Sequence, residues 1–155
     1  MSDIVWAINP KNDKLEALMS RMKEFSANIC EAKGIDLAFI LPPELENLSI
    51  DLASRKNLFL VSKEAVNNAV KYSGCNLLLI RFERMNDQLQ MEIQDNGKGF
   101  DITTVARGNG LYNMQERASE CNGSLYIRSS AEQGTSVLFQ IPITRFGVSA
   151  NNQSY

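Results

Sequence analysis

The stretch MEIQDNGKGF, residues 91–100, ends an alternating apolar run with an acid, Asp95, then places Gly97 and Gly99 one residue apart. Asp-Asn-Gly is good turn chemistry, because these residues tolerate the positive φ angles that tight turns need. A hairpin turn, however, leads straight into a partner strand. Here KGFDITTVARGNG follows, with a second close pair at Gly108 and Gly110. Glycines let a backbone approach a ligand closely and leave amides free for phosphate oxygens. The second pair opens a helix at Leu111, where unpaired amides and the helix dipole favour an anion. A flexible hinge would use the same residues, although a helix begins at once. Neither loop is a Walker sequence, and GKGFDI does not fit a dinucleotide fingerprint, since no helix starts there.

A second constellation lies in KEAVNNAVKYS, residues 63–73. Asn68 follows Glu64 by four residues, and Lys71 and Tyr72 follow Asn68 by three and four, all on one side of a helix. Leu58, Val61, Ala65 and Ala69 form an apolar stripe beside them. Most polar helix faces are simply solvated. Two features strain that reading: Asn67-Asn68 is poor for helix propensity, and the flanking alanines keep the face shallow. An amide oxygen is a hard ligand suited to Mg²⁺, which binds through few protein atoms plus substrate phosphates.

The elements that must position these residues follow from periodicity. MSDIVWAINP is short, apolar and closed by Pro10, the stub of a preceding element. Asn12 or Asp13 caps a helix to about Lys33, stopped by Gly34. Its stripe of Leu15, Leu18, Met22, Phe25 and Ile29 lasts only about two heptads, which favours packing onto a core over a long coiled coil. IDLAFILP alternates as a strand ended by Pro42-Pro43. A helix covers roughly Leu52 to Tyr72, and NLLLIRFER and LQMEIQ make an antiparallel hairpin across MNDQ. Residues 101–110 form a loop, GLYNMQERASECNG a helix stopped by Gly123, and SLYIRSS and TSVLFQIPI two strands around AEQG. Hairpins with intervening helices predict an α+β fold: a two-layer sandwich whose mixed, mainly antiparallel sheet carries helices on one face. Residues 11–146 make one domain, and the polar tail 147–155 is expected to fray.

Composition narrows the chemistry. The 155 residues carry a formal charge of −2, which argues against nucleic acid as the main partner. No apolar run approaches the ~18–20 residues of a membrane span, and the N-terminus lacks a signal-peptide layout. Three scattered cysteines, Cys30, Cys75 and Cys121, make neither a disulfide framework nor a metal cluster, which is the pattern of reduced cytoplasmic thiols. The chain contains no histidine. Histidine-based acid–base catalysis and most zinc sites are thereby excluded within it.

Four segments in order, EAVNNAVKYS, DNGKGF, GNGL and GTSVLFQIP, resemble the motifs of the GHKL ATPase superfamily, which includes gyrase-type, chaperone-type, mismatch-repair and histidine-kinase ATPases. GNGLYNMQERASECNGSL further resembles the short-lid sensor histidine kinases, and DIVWAINP, within residues 1–10, looks like the end of the dimerisation helices that precede their catalytic domain. The resemblance implies a Bergerat-type fold that binds ATP with Mg²⁺. Asp95 would accept from the adenine amino group, beside Thr135, and Gly97, Gly99 and Phe100 would bring the strand end close to the nucleotide. Asn68 would coordinate Mg²⁺, and Lys71 would offset phosphate charge. Tyr72 stands where many relatives have histidine. Gly108, Asn109, Gly110 and Leu111 would edge a lid over the phosphates, and Glu64 would act as general base.

The same resemblance implies that the γ-phosphoryl group goes to a histidine on a dimerisation domain absent from this chain, and from there to a response-regulator receiver domain. No nucleic acid and no direct membrane contact is expected. The domain would be cytoplasmic, whether or not its parent is membrane-anchored. The alternatives are a catalytically silent nucleotide-binding module and a stand-alone serine kinase of anti-sigma-factor type.

Overall fold

The computed structural model describes residues 14–46, 48–98, 110–130 and 133–143. Helix α1, Leu15–Ala32, buries Leu15, Leu18, Met19 and Met22, while Phe25 and Ile29 pack at the margin of the core. Gly34, at φ +69°, ends it as expected. The expected caps Asn12 and Asp13 lie outside the described residues, as do the 1–10 stub and the 147–155 tail.

Strand β1, Asp36–Ile40, runs parallel to its neighbour β2, Leu77–Met85. Parallel neighbours need a long crossover, and helix α2, Leu52–Asn68, supplies it. Asp51 fixes where α2 begins, its carboxylate accepting from the Ser54 N–H at 3.1 Å. β2 turns into β3, Gln88–Asp95, through Asn86-Asp87, with Asn86 at φ +59°. Helix α3, Gly110–Glu120, then leads to β4, Ser124–Ser130, and β5, Gly134–Pro142. The sheet order is β1-β2-β3-β5-β4, antiparallel except for β1–β2. This is the α+β, mixed-sheet architecture the element order predicts.

Strand alternation decides which face is covered. Ile80, Ile93 and Val137 lie in one register row and Phe82, Met91, Phe139 and Leu125 in another, all buried in the single core cluster with the helices. Each such side chain contributes roughly 1.5–3 kcal/mol on burial. The row between them, on the opposite face, holds the Arg81–Glu92 ion pair and exposed Tyr126. Helices therefore cover one face only.

Two details depart from the sequence reading. The expected helix to Tyr72 is α-helical only to Asn68; Ala69–Ser73 is a π turn, ended by Gly74 at φ +66°. Such turns are wider than an α-helix, so the three- and four-residue spacings beyond Asn68 no longer guarantee a shared face. In addition, Asn122, at φ +57°, takes the left-handed position after α3, in place of Gly123. Gly123 is needed for a different reason: a Cβ there would lie 2.6 Å from the Gln140 carbonyl oxygen of the adjacent strand.

Candidate functional site

Asp95 is the last residue of β3 and is 3% exposed. Its Oδ1 accepts from the Gly97 N–H at 2.9 Å and from the Thr135 N–H at 3.3 Å. Two backbone donors on one oxygen fix the carboxylate's rotation. Among the described residues neither bond uses Oδ2. Thr135 is steadied in turn, its Oγ1 sharing a 2.9 Å hydrogen bond with the Ser129 hydroxyl.

The backbone around this acid leaves no room for side chains. Gly134, at φ +82°, packs so tightly that a Cβ would stand 2.1 Å from the Asp95 carbonyl oxygen. A Cβ on Gly97 would stand 2.2 Å from the Ser73 carbonyl oxygen, the same oxygen that accepts from Lys98 N–H at 2.8 Å. The π turn presents that carbonyl, so the wide turn after Asn68 holds down the loop after Asp95. Asn96 latches the loop's other side: its Oδ1 accepts from the Asn76 and Leu77 N–H groups, both at 3.0 Å, and its Nδ2 donates to Asn76 Oδ1 at 2.6 Å.

Asp95 closes one end of a narrow slot. Ala65, Asn68 and Ala69 form the α2 wall, Ile93 and Val137 the sheet wall, and Met114 of α3 the third side, with Thr135 beside the acid. An apolar slot ended by a single acceptor suits a flat heterocycle that offers an N–H. The spacing argument thus holds for Asn68, half-buried and facing the slot. Glu64, one turn earlier, is also half-buried and lines a second, polar cleft between α2 and α3, with Met114 common to both.

Lys71 and Tyr72 are placed differently. Both are exposed, Tyr72 at 50%, and neither lines the slot or the cleft. The π turn is the physical reason, since it shifts their angular position relative to Asn68. Gly99, Phe100, Gly108 and Asn109 lie outside the described residues, while Gly110 and Leu111 form the start of α3. Sequence reasoning quoted Ser73, Gly134 and Arg117 only within motifs and gave none of them a role of its own. Gly134 had a visible signal, a glycine directly before Thr135. Ser73 had none.

Among the described residues no group of three or more His, Cys, Asp or Glu side chains is placed to hold a metal. A Mg²⁺ bound mainly through phosphates needs no such group, and the Asn68 amide fits the single hard-oxygen ligand it would require. All three cysteines are free and buried. Burial pushes the Cys121 thiol up to about 11, helped by the carboxylates of Asp51 and Glu120, and burial likewise raises Cys30, with Cys75 adding to it.

Residues 53–145, more than half of the chain, match the family described as histidine kinase-, DNA gyrase B-, and HSP90-like ATPase. The chain belongs to that family. Among curated proteins it is similar to the sensor protein VraS of Staphylococcus aureus (strain COL), 29% identical over 103 residues, which is 66% of this chain and 30% of that protein. The chain therefore spans about 30% of the length of this relative. Among solved structures, the catalytic domain of histidine kinase ThkA matches at TM-score 0.70 and 20% identity, over 84% of this chain and 94% of that one. The histidine kinase domain of the blue-light activated kinase from Erythrobacter litoralis EL346 matches at 0.69 and 17%, over 81% and 65%. Full-length ShkA in complex with AMPPNP matches at 0.68 and 20%, over 84% and 30%. These structures share the fold of this chain, and the family match bears out the reading of an ATPase domain of that superfamily.

Proposed function

We propose that this domain transfers the γ-phosphoryl group of ATP to a histidine on a dimerisation domain outside this chain, for onward passage to a response-regulator receiver domain. One observation carries the reading: a buried carboxylate with one engaged oxygen ends an apolar slot whose wall bears a carboxamide. The solved relative holding AMPPNP supports a nucleotide in such a slot.

In this reading Asp95 Oδ2 accepts from the adenine amine. A base lacking that amine would leave the buried acid unpaired, which is the basis of selectivity. Gly97 and Gly99, with Phe100 and Thr135, shape the adenine end. Gly108, Asn109, Gly110 and Leu111 edge the phosphates, where the free amides of the α3 N-terminus favour anionic oxygens. Asn68 would hold Mg²⁺, which supplies charge neutralisation between the phosphates when bound. Lys71 and Tyr72, exposed as they are, would reach phosphate only from the rim. Glu64 takes the proton of the attacking nucleophile. Most of the work is positioning and charge balance, so an acceptor brought by another domain suits the chemistry.

The test is to incubate the chain with labelled ATP, magnesium and a purified histidine-bearing dimerisation domain. Acid-labile phosphate on that partner is the expected product. Acid-stable phosphate would instead indicate a serine kinase, and no transfer a silent module.

A further inference from the structure

Resting on this reading of the slot, the geometry points to Arg117 as the residue that recognises the terminal phosphate of the bound nucleotide. If the base end sits at Asp95 and the metal ligand is Asn68, the rest of the nucleotide has to leave the slot past Asn68. Glu64 lies four residues back along α2, about 6 Å by helix rise. Met114 lines both spaces, so the slot and the polar cleft around Glu64 adjoin. The apolar slot suits a base, whereas the cleft offers charge and amide groups.

Three charged residues line that cleft: Lys63 and Glu64 from α2 and Arg117 from α3. Lys63 is engaged elsewhere, its ammonium 5.1 Å from the centre of the Phe25 ring and 5.8 Å from that of Phe59. Lys71 lines neither space. Arg117 is left, half-buried and three residues after Met114, on the same side of α3. Among the described residues its guanidinium has no hydrogen bond or ion pair, and Glu64, Asn67 and Asn113 line the cleft with it. The planar fork of donors on Arg117 matches phosphate oxygens. Its place in the last turn of α3 gains from the helix dipole. That gain would be the same if the side chain faced solvent, so it does not account for the side chain facing the cleft.

Calorimetric titration of this chain with ATP and with ADP, both with magnesium, tests the assignment. The unmutated chain should bind ATP more tightly than ADP. Arg117→Met should weaken ATP about ten- to a hundredfold, the scale of a lost hydrogen bond to a charged group, and leave ADP unchanged. Arg117→Lys, which keeps charge without the fork, should fall between. Equal loss of ATP and ADP in Arg117→Met would make the residue a mere wall and overturn the inference. So would an unchanged ATP-to-ADP ratio, or no preference for ATP in the unmutated chain. If Asp95→Asn abolishes both nucleotides while Arg117→Met spares the ratio, the slot reading stands and only this inference falls. If the unmutated chain binds neither nucleotide, both fall together.

Discussion

The two ends of the cleft system are built on opposite terms. At the Asp95 end every group is held: two backbone N–H groups on one carboxylate oxygen, a glycine pressed against the Asp95 carbonyl, and a loop pinned to Ser73 and Asn76. At the Glu64–Arg117 end, two half-buried charged side chains face a polar gap between helices, without hydrogen bonds or ion pairs among the described residues. The first end is organised before any ligand arrives. The second is completed by what enters it. Under the proposed function, in which one constant base is recognised and phosphate is handed to another protein, that division is useful: rigidity lowers the ordering cost of binding, while the transfer end stays open.

The comparison breaks most readily at Gly134. Gly134→Ala adds a Cβ at 2.1 Å from a backbone oxygen at φ +82°, and should cost about 3 kcal/mol from left-handed strain plus overpacking. Gly34 has a similar φ of +69° with nothing within 4 Å, so Gly34→Ala should cost only the strain, about 1 kcal/mol. Urea unfolding of both variants measures the difference. Equal losses would mean that the Asp95 end is not specially crowded.

A smaller effect comes from the C-terminal end of α3, where Arg117 faces the polar cleft and Cys121, the first residue after the helix, is buried. The folded chain holds the Cys121 thiol near 11 against an ordinary value of 9.0. The unfolded chain therefore loses this proton first as pH rises. The stability tied to the neutral thiol is complete below pH 9 and is lost between about 9 and 11. By pH 10 the loss should be about 1 kcal/mol, seen as a larger drop in unfolding midpoint between pH 8 and 10 than in Cys121→Ala. An identical pH dependence in the two proteins would show that this end of α3 is wet.

Much of this was legible in the sequence. Alternation in NLLLIRFER and LQMEIQ foretold a sheet with one covered face, and the acid between a strand and a glycine pair marked Asp95 as a candidate ligand contact. The stripe of Leu58, Val61, Ala65 and Ala69 is buried as its spacing requires. What stayed hidden depends on contacts between distant segments. Nothing near Ser73 announces that its carbonyl will receive a loop more than twenty residues onward. The π turn after Asn68, which moves Lys71 and Tyr72 off the expected face, arises in a run that by composition continues the helix. Gly123 shows the same limit: local rules name it a helix stop, whereas the neighbouring strand is what excludes a side chain there.

The account's central claim is that Asp95 reads the base. Asp95→Asn keeps an oxygen for the Gly97 and Thr135 amides and replaces only the free oxygen with a donor, so it should remain folded. Calorimetry with ATP and with inosine triphosphate, whose base lacks the amine, is the most direct measurement. The unmutated chain should strongly prefer ATP, and Asp95→Asn should lose roughly 30- to 150-fold in ATP affinity, about 2–3 kcal/mol, along with that preference. A folded Asp95→Asn that binds ATP as tightly as the unmutated chain would contradict the claim.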